Sequence, residues 1–132
     1  MSANPLAKKL RLKPGSRGAL VNAPDEYLQE LSPLPEEADL AENLQGSFDW
    51  IQLFVKNRMQ LEKTLPRVVT SLKLVSILWV SFPTGSSKIQ TDLTRDMGWE
   101  ILEEIDLKWL TLVSVNSTWS AFAFRPRKPG EK

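Results

Sequence analysis

Residues 84–95, Thr-Gly-Ser-Ser-Lys-Ile-Gln-Thr-Asp-Leu-Thr-Arg, gather more potential chemistry than any other stretch of the chain. Gly85 frees the backbone, Ser86 and Ser87 offer hydroxyls, and Lys88 adds positive charge, which is the make-up of a loop that cradles an anion. Arg95 follows at a distance from which its guanidinium could clamp a phosphate or carboxylate in bidentate fashion. The phosphate-loop pattern is not matched, so such a site would be irregular. The same residues also read as structure. Thr91 or Asp92 suits a helix N-cap, and Asp92 and Asp96 stand where either carboxylate could pair with Arg95. As a catalytic set the stretch is thin: Asp96 offers a base and Lys88 or Arg95 could steady an oxyanion, but no nucleophile is supplied. No catalytic residue is assigned.

Composition narrows the chemistry further. The 132 residues include no cysteine and no histidine. Disulfides, zinc fingers, thiol nucleophiles and Ser–His catalysis are therefore excluded, and no metal site is expected. A hydrophobic share of 42% with 25% charged residues is ordinary for a globular domain. No apolar run approaches the roughly 20 residues of a membrane helix, and the N-terminus has no apolar signal-peptide core. A cytoplasmic protein with no membrane partner is expected.

Net charge is only +1, but the charges are segregated. Gly18 to Val55 holds eight acids and no lysine or arginine, while both ends of the chain are basic. Solvated surface and frayed tails explain this better than steering of a partner does. Five tryptophans invite a stacking role on nucleic acid, but Trp50 and Trp79 lie inside apolar runs and the overall balance is not basic. Nucleic acid is not the expected partner.

The elements that must position these residues follow from periodicity. Residues 1–16 read as a flexible basic arm, 17–126 as a single α/β domain and 127–132 as a disordered tail. Buried strands are expected at 18–24, 48–55 and 76–83, the last nearly continuous in apolar residues, as a central strand is. A short helix follows Pro24, and residues 38–44 lean to an edge strand. Asn57 opens a helix over 57–73, whose Leu61, Leu65, Val68, Val69 and Leu72 share one face and whose Pro66 should kink it. Leu93, Met97, Ile101 and Ile105 repeat every four residues and predict a helix over about 92–105, with Trp99 packed against Trp119. "WLTLVSV" and "WSAFAFRP" flank "NST" as an antiparallel hairpin. The fold class expected is a small Rossmann-like α/β domain: a mostly parallel sheet, flanking helices and a C-terminal hairpin.

This order of elements resembles the Rossmann-like fold of class I S-adenosylmethionine-dependent methyltransferases. "FDWIQLFV", the 57–73 helix, "SILWVSFP" and the 106–124 region stand where that family has its second half. Over roughly 10–126 the chain is also similar to small bacterial proteins that share a domain of unknown function, through "LKPGSRGALVNAP", "LWVSFP", "KIQTDLTRDMGWE" and "VSVNSTWSAFAFRP". The methyltransferase resemblance implies a glycine-rich turn after the first strand and an acid after the second that grips the cofactor ribose. Glu42 could take the part of that acid. The turn, however, is "VNAPDEYL", with no glycine between Gly18 and Gly46 and with Pro24 removing a backbone donor. No cofactor is therefore expected, S-adenosylmethionine included.

In open α/β sheets, ligands collect at the carboxyl ends of the strands. The expected site at that edge comprises Asn22, Ser86, Ser87, Lys88, Thr91, Asp92 and Arg95. The function expected is a non-catalytic domain binding a partner protein or small anionic ligand; the alternative is a divergent methyltransferase-like enzyme acting on a small molecule. Composition leaves the oligomeric state open.

Overall fold

A computed structural model describes residues 4–85, 89, 91–94, 96–128 and 130, with Glu103 by its backbone alone. The order is helix α1 (Pro5–Lys9), strand β1 (Arg17–Val21), helix α2 (Tyr27–Leu31), strands β2 (Asp39–Ala41) and β3 (Phe48–Phe54), helix α3 (Arg58–Val69) and strand β4 (Leu72–Pro83). A 3-10 turn (Glu100–Glu103) and the hairpin strands β5 (Leu107–Ser114) and β6 (Trp119–Pro126) complete it. The six strands form one sheet in the order β2-β1-β3-β4-β6-β5. The four on the β2 side are parallel, and β6 runs antiparallel between β4 and β5. This is the expected fold class, down to the edge strand at β2.

Side-chain alternation divides the core between the two faces. Ala19, Val21, Ile51, Leu53, Leu78 and Val80 pack beneath Leu61, Leu65 and Val68 of α3. On the opposite face Leu20, Trp50, Phe54 and Trp79 pack against α1 and α2 through Leu10, Tyr27 and Leu31. β1 can lie this close to its neighbours because residue 18 is glycine. A Cβ there would come within 2.7 Å of Leu40 Cδ2 and 3.0 Å of the Trp50 ring.

Within the segment expected as a flexible basic arm, residues 4–12 pack on the sheet. Asn4 caps α1 by accepting from the Leu6 N–H at 2.7 Å, and its own amide donates to the Ser32 carbonyl at 2.7 Å. Ala7, Leu10 and Leu12 are buried. The Leu10 carbonyl, at the end of α1, accepts the indole N–H groups of both Trp50 (2.8 Å) and Trp79 (2.7 Å). The last carbonyls of a helix have no intrahelical donor, so this one is available, and its two lone pairs serve both indoles. The basic side chains stay in solvent while the apolar ones seal the sheet; charge masked that pattern in the sequence. At the other end, the Arg127 N–H donates to the Asp106 carbonyl at 2.9 Å, so the expected tail is anchored at its first residue. Residues 129 and 131–132 lie outside the described residues.

Helix α3 starts at its expected cap, where Asn57 accepts from the Gln60 N–H at 2.8 Å. It ends at Val69, and Leu72 begins β4 instead of prolonging the helix. Pro66 lies inside the helix and has no N–H to give the Glu62 carbonyl.

The helix expected over 92–105 is replaced by a closed loop and the 3-10 turn. Gly98 has φ +98°, and a Cβ there would meet Leu93 Cδ1 at 2.8 Å and the Asp92 carbonyl at 3.0 Å. The chain thus doubles back on itself, held by Trp99 Nε1 donating to the Thr94 carbonyl at 2.6 Å. Leu93 is fully buried while Met97 is 67% exposed, so the fourfold spacing was not a helix face. Trp99 packs on Phe82 and Phe122 at 5.3 and 5.0 Å, and Trp119 packs on Phe54 across the sheet; the two tryptophans do not meet. Among the described residues, no helix is long and apolar enough to cross a membrane.

At the amino edge of the sheet, Asp49 accepts the Arg17 backbone N–H at 2.9 Å and pairs with the Lys73 ammonium. These contacts hold its carboxyl below the ordinary carboxylate range, the Arg17 N–H first and the lysine second.

Two outcomes test this account. Leu10→Ala should destabilise the fold by about 2–5 kcal/mol in urea denaturation, the cost of emptying a well-packed site. A depressed pKa stabilises the fold above the unfolded value, about 3.9, and that contribution disappears as pH falls through the folded value. Asp49→Asn should therefore be less stable than the wild type at neutral pH, and the gap should close below about pH 4.

Candidate functional site

Among the described residues, three clefts lie at the carboxyl ends of the parallel strands. The largest, about 890 Å³, lies beyond β4 and is lined by Phe82, Thr84, Thr91, Leu93, Asp96 and Ser120 among others. Two smaller clefts, about 420 and 340 Å³, lie around the ends of β1 and β2. Both are lined by Asn22 and Glu42, the first residues after those strands.

The turn after β1 adopts left-handed backbone without glycine. Asn22 has φ +59° and Glu26 φ +70°. Asparagine enters this region at lower cost than most residues, because its short polar side chain can bond locally. Tyr27 then fixes the turn from below. Its hydroxyl donates to Gln52 Oε1 at 2.8 Å, and Gln52 Nε2 donates to Ser81 Oγ at 2.9 Å, a fully buried chain joining α2, β3 and β4. Burial pushes the Tyr27 phenol well above its ordinary pKa, so it stays a donor at any physiological pH. Gln52, the lone amide in an otherwise apolar run, was the sequence signal for this chain.

The expected site residues separate into groups. Asn22 lies in the two smaller clefts and Thr91 in the large one. Thr91 Oγ1 accepts from the Leu93 N–H at 2.9 Å. Asp92 does not cap a helix of its own. Its Oδ1 accepts the Arg58 N–H at 2.8 Å, which docks the 91–99 loop on the start of α3. Arg58 also bonds Glu62 at 2.8 Å, and Glu62 raises its pKa on an exposed surface. Ser86, Ser87, Lys88 and Arg95 lie outside the described residues. Thr84 and Ser120 were not singled out by the sequence, because only the hairpin's return beside β4 brings them to one cleft.

The donor set at the smaller clefts fits the cofactor that the sequence argued against. Glu42 presents a carboxylate that can accept from a ribose diol, at the end of the second strand. Asp25 and Glu26 stand beside it in the first of these clefts. An acidic mouth favours hydroxyls and a positively charged ligand over an anion.

No family model matches the chain, and no curated protein does. Solved structures do. A ribosomal protein L11 methylase from Lactobacillus delbrueckii subsp. bulgaricus aligns over 93% of this chain and 76% of its own, at TM-score 0.56 and 14% identity. The DhpI–SAH complex aligns over 92% and 83%, at TM-score 0.63 and 10% identity. A SAM-dependent methyltransferase from Aquifex aeolicus aligns over 92% and 88%, at TM-score 0.59 and 15% identity.

These neighbours correct the expectation that S-adenosylmethionine has no place here: solved proteins of this layout include a SAM-dependent methyltransferase and a complex with SAH. They also back the methyltransferase-like alternative better than the non-catalytic binding domain. The chain has a Rossmann-like fold, which it shares with solved S-adenosylmethionine-dependent methyltransferases.

Proposed function

We propose that the chain is a divergent methyltransferase-like enzyme that binds S-adenosylmethionine at the ends of β1 and β2 and acts on a small molecule. The observation that carries this reading is Glu42, a carboxylate directly after β2 that lines two clefts together with Asn22 directly after β1. Glu42 accepts the ribose hydroxyls, and the turn from Asn22 to Glu26 borders the ligand. The Tyr27–Gln52–Ser81 chain holds that turn in place, so its shape is set before a ligand arrives. When bound, S-adenosylmethionine supplies a methyl group made electrophilic by its sulfonium. The large cleft beyond β4 receives the acceptor. The hydroxyls of Thr84, Thr91 and Ser120 orient it, and the Asp96 carboxylate stands among the lining groups that could take a proton.

Calorimetric titration and thermal unfolding with S-adenosylmethionine and S-adenosylhomocysteine test the proposal. Ligand at 100 times its dissociation constant should add about 2.7 kcal/mol to stability. Glu42→Gln should weaken binding by about 1.5–3 kcal/mol while leaving the unliganded melting curve unchanged, because the side chain is exposed. Absence of saturable binding by either ligand to the folded wild type would overturn the reading.

A further inference from the structure

Five aromatic rings gather over the C-terminal hairpin, on the α3 face of the sheet, away from Glu42 and Asn22. Trp99 meets Phe122 at 5.0 Å and 86°, Trp109 meets Phe122 at 6.5 Å and 70°, and Phe124 lies 6.2 Å from Phe122. Phe82 stacks on Phe122 from within the core at 5.3 Å. Trp99, Trp109, Phe122 and Phe124, with Leu102 and Asp96, line an open cleft of about 370 Å³. Trp109 is 56% exposed on the edge strand, although burying its indole would be favourable.

The segment beside this cleft is predominantly acidic, with Arg58 paired to Glu100 at its border. Residues 96–106 contain Asp96, Glu100, Glu103, Glu104 and Asp106, with no lysine or arginine. Lys108 and Arg125 neighbour Trp109 and Phe124 in sequence, but strand alternation carries them to the other face of the sheet.

We propose that this cleft is a binding site for a methylated ammonium group. The rings that line the cleft, with Trp109 the most exposed of them, give it an aromatic wall. Their quadrupoles attract a cation that cannot donate hydrogen bonds, and tryptophan does so most strongly. The Asp96 carboxylate and the acidic segment add negative potential at the mouth. An anion would be repelled there, and a neutral apolar ligand would gain nothing from the acids. The proposal does not depend on S-adenosylmethionine binding at the strand ends.

The test is a titration followed by the indole N–H resonance of Trp109. The probes are choline, a short trimethyllysine peptide, and 3,3-dimethyl-1-butanol as choline's neutral isostere. Saturable binding of choline or of the peptide supports the site, and the tighter of the two identifies the source of the ammonium. The neutral isostere should bind about tenfold or more weakly. Trp109→Leu should weaken cation binding about fivefold to thirtyfold, Trp109→Phe should retain part of it, and Asp96→Asn should lower it. Equal binding of the neutral isostere, or no saturable shift with either cation at millimolar concentration, would overturn the proposal.

Discussion

One carbonyl group organises much of this molecule. Trp50 and Trp79 give the central strands their largest side chains, and each carries an N–H that must be satisfied inside an apolar layer. Leaving one such donor unpaired would cost about 1–3 kcal/mol. The sheet's own carbonyls are engaged in its ladders, so the acceptor has to come from elsewhere. The end of α1 supplies it, at Leu10. The requirement fixes where the N-terminal segment lies, and that segment then covers one face of the sheet and holds Ser32, at the end of α2, through Asn4.

From there the constraints run toward the strand ends. With α2 seated, Tyr27 reaches Gln52, and Gln52 reaches Ser81, so the turn after β1 is held by a buried polar chain. On the other face, Asp92 fastens the loop after β4 to the first turn of α3. The two smaller clefts and the large one are thus bordered by segments tied to different helices. The ligand edge is built from loops, but its loops are anchored by side chains that reach the core or a helix end.

Much of the fold was legible because the strands are long apolar runs bounded by turn residues. The central strand could be read from "SILWVSFP" alone, and α3 from Asn57 and the spacing of Leu61, Leu65 and Val68. The 92–105 segment misled for a specific reason. Its apolar spacing fits a helix, but Gly98 in a left-handed conformation and the Trp99–Thr94 bond close it into a loop, and local pattern does not reveal such closure. The proposed site draws on residues that the sequence had already brought forward. Asn22 and Glu42 were visible as residues after strands, yet the argument from absent glycines pointed away from the cofactor.

The sequence alone determined the sheet's parallel core, its terminal hairpin and the exclusion of thiol and imidazole chemistry, because these depend on local periodicity and on which residue types are present. The tertiary structure decided the rest. It alone showed that a basic, polar-looking N-terminus is a core element, that Thr84, Thr91 and Ser120 share a cleft, and that Trp99 and Trp109 meet around Phe122. Each of these joins residues far apart in the chain, and such pairings are set by strand order and packing, which no local pattern encodes.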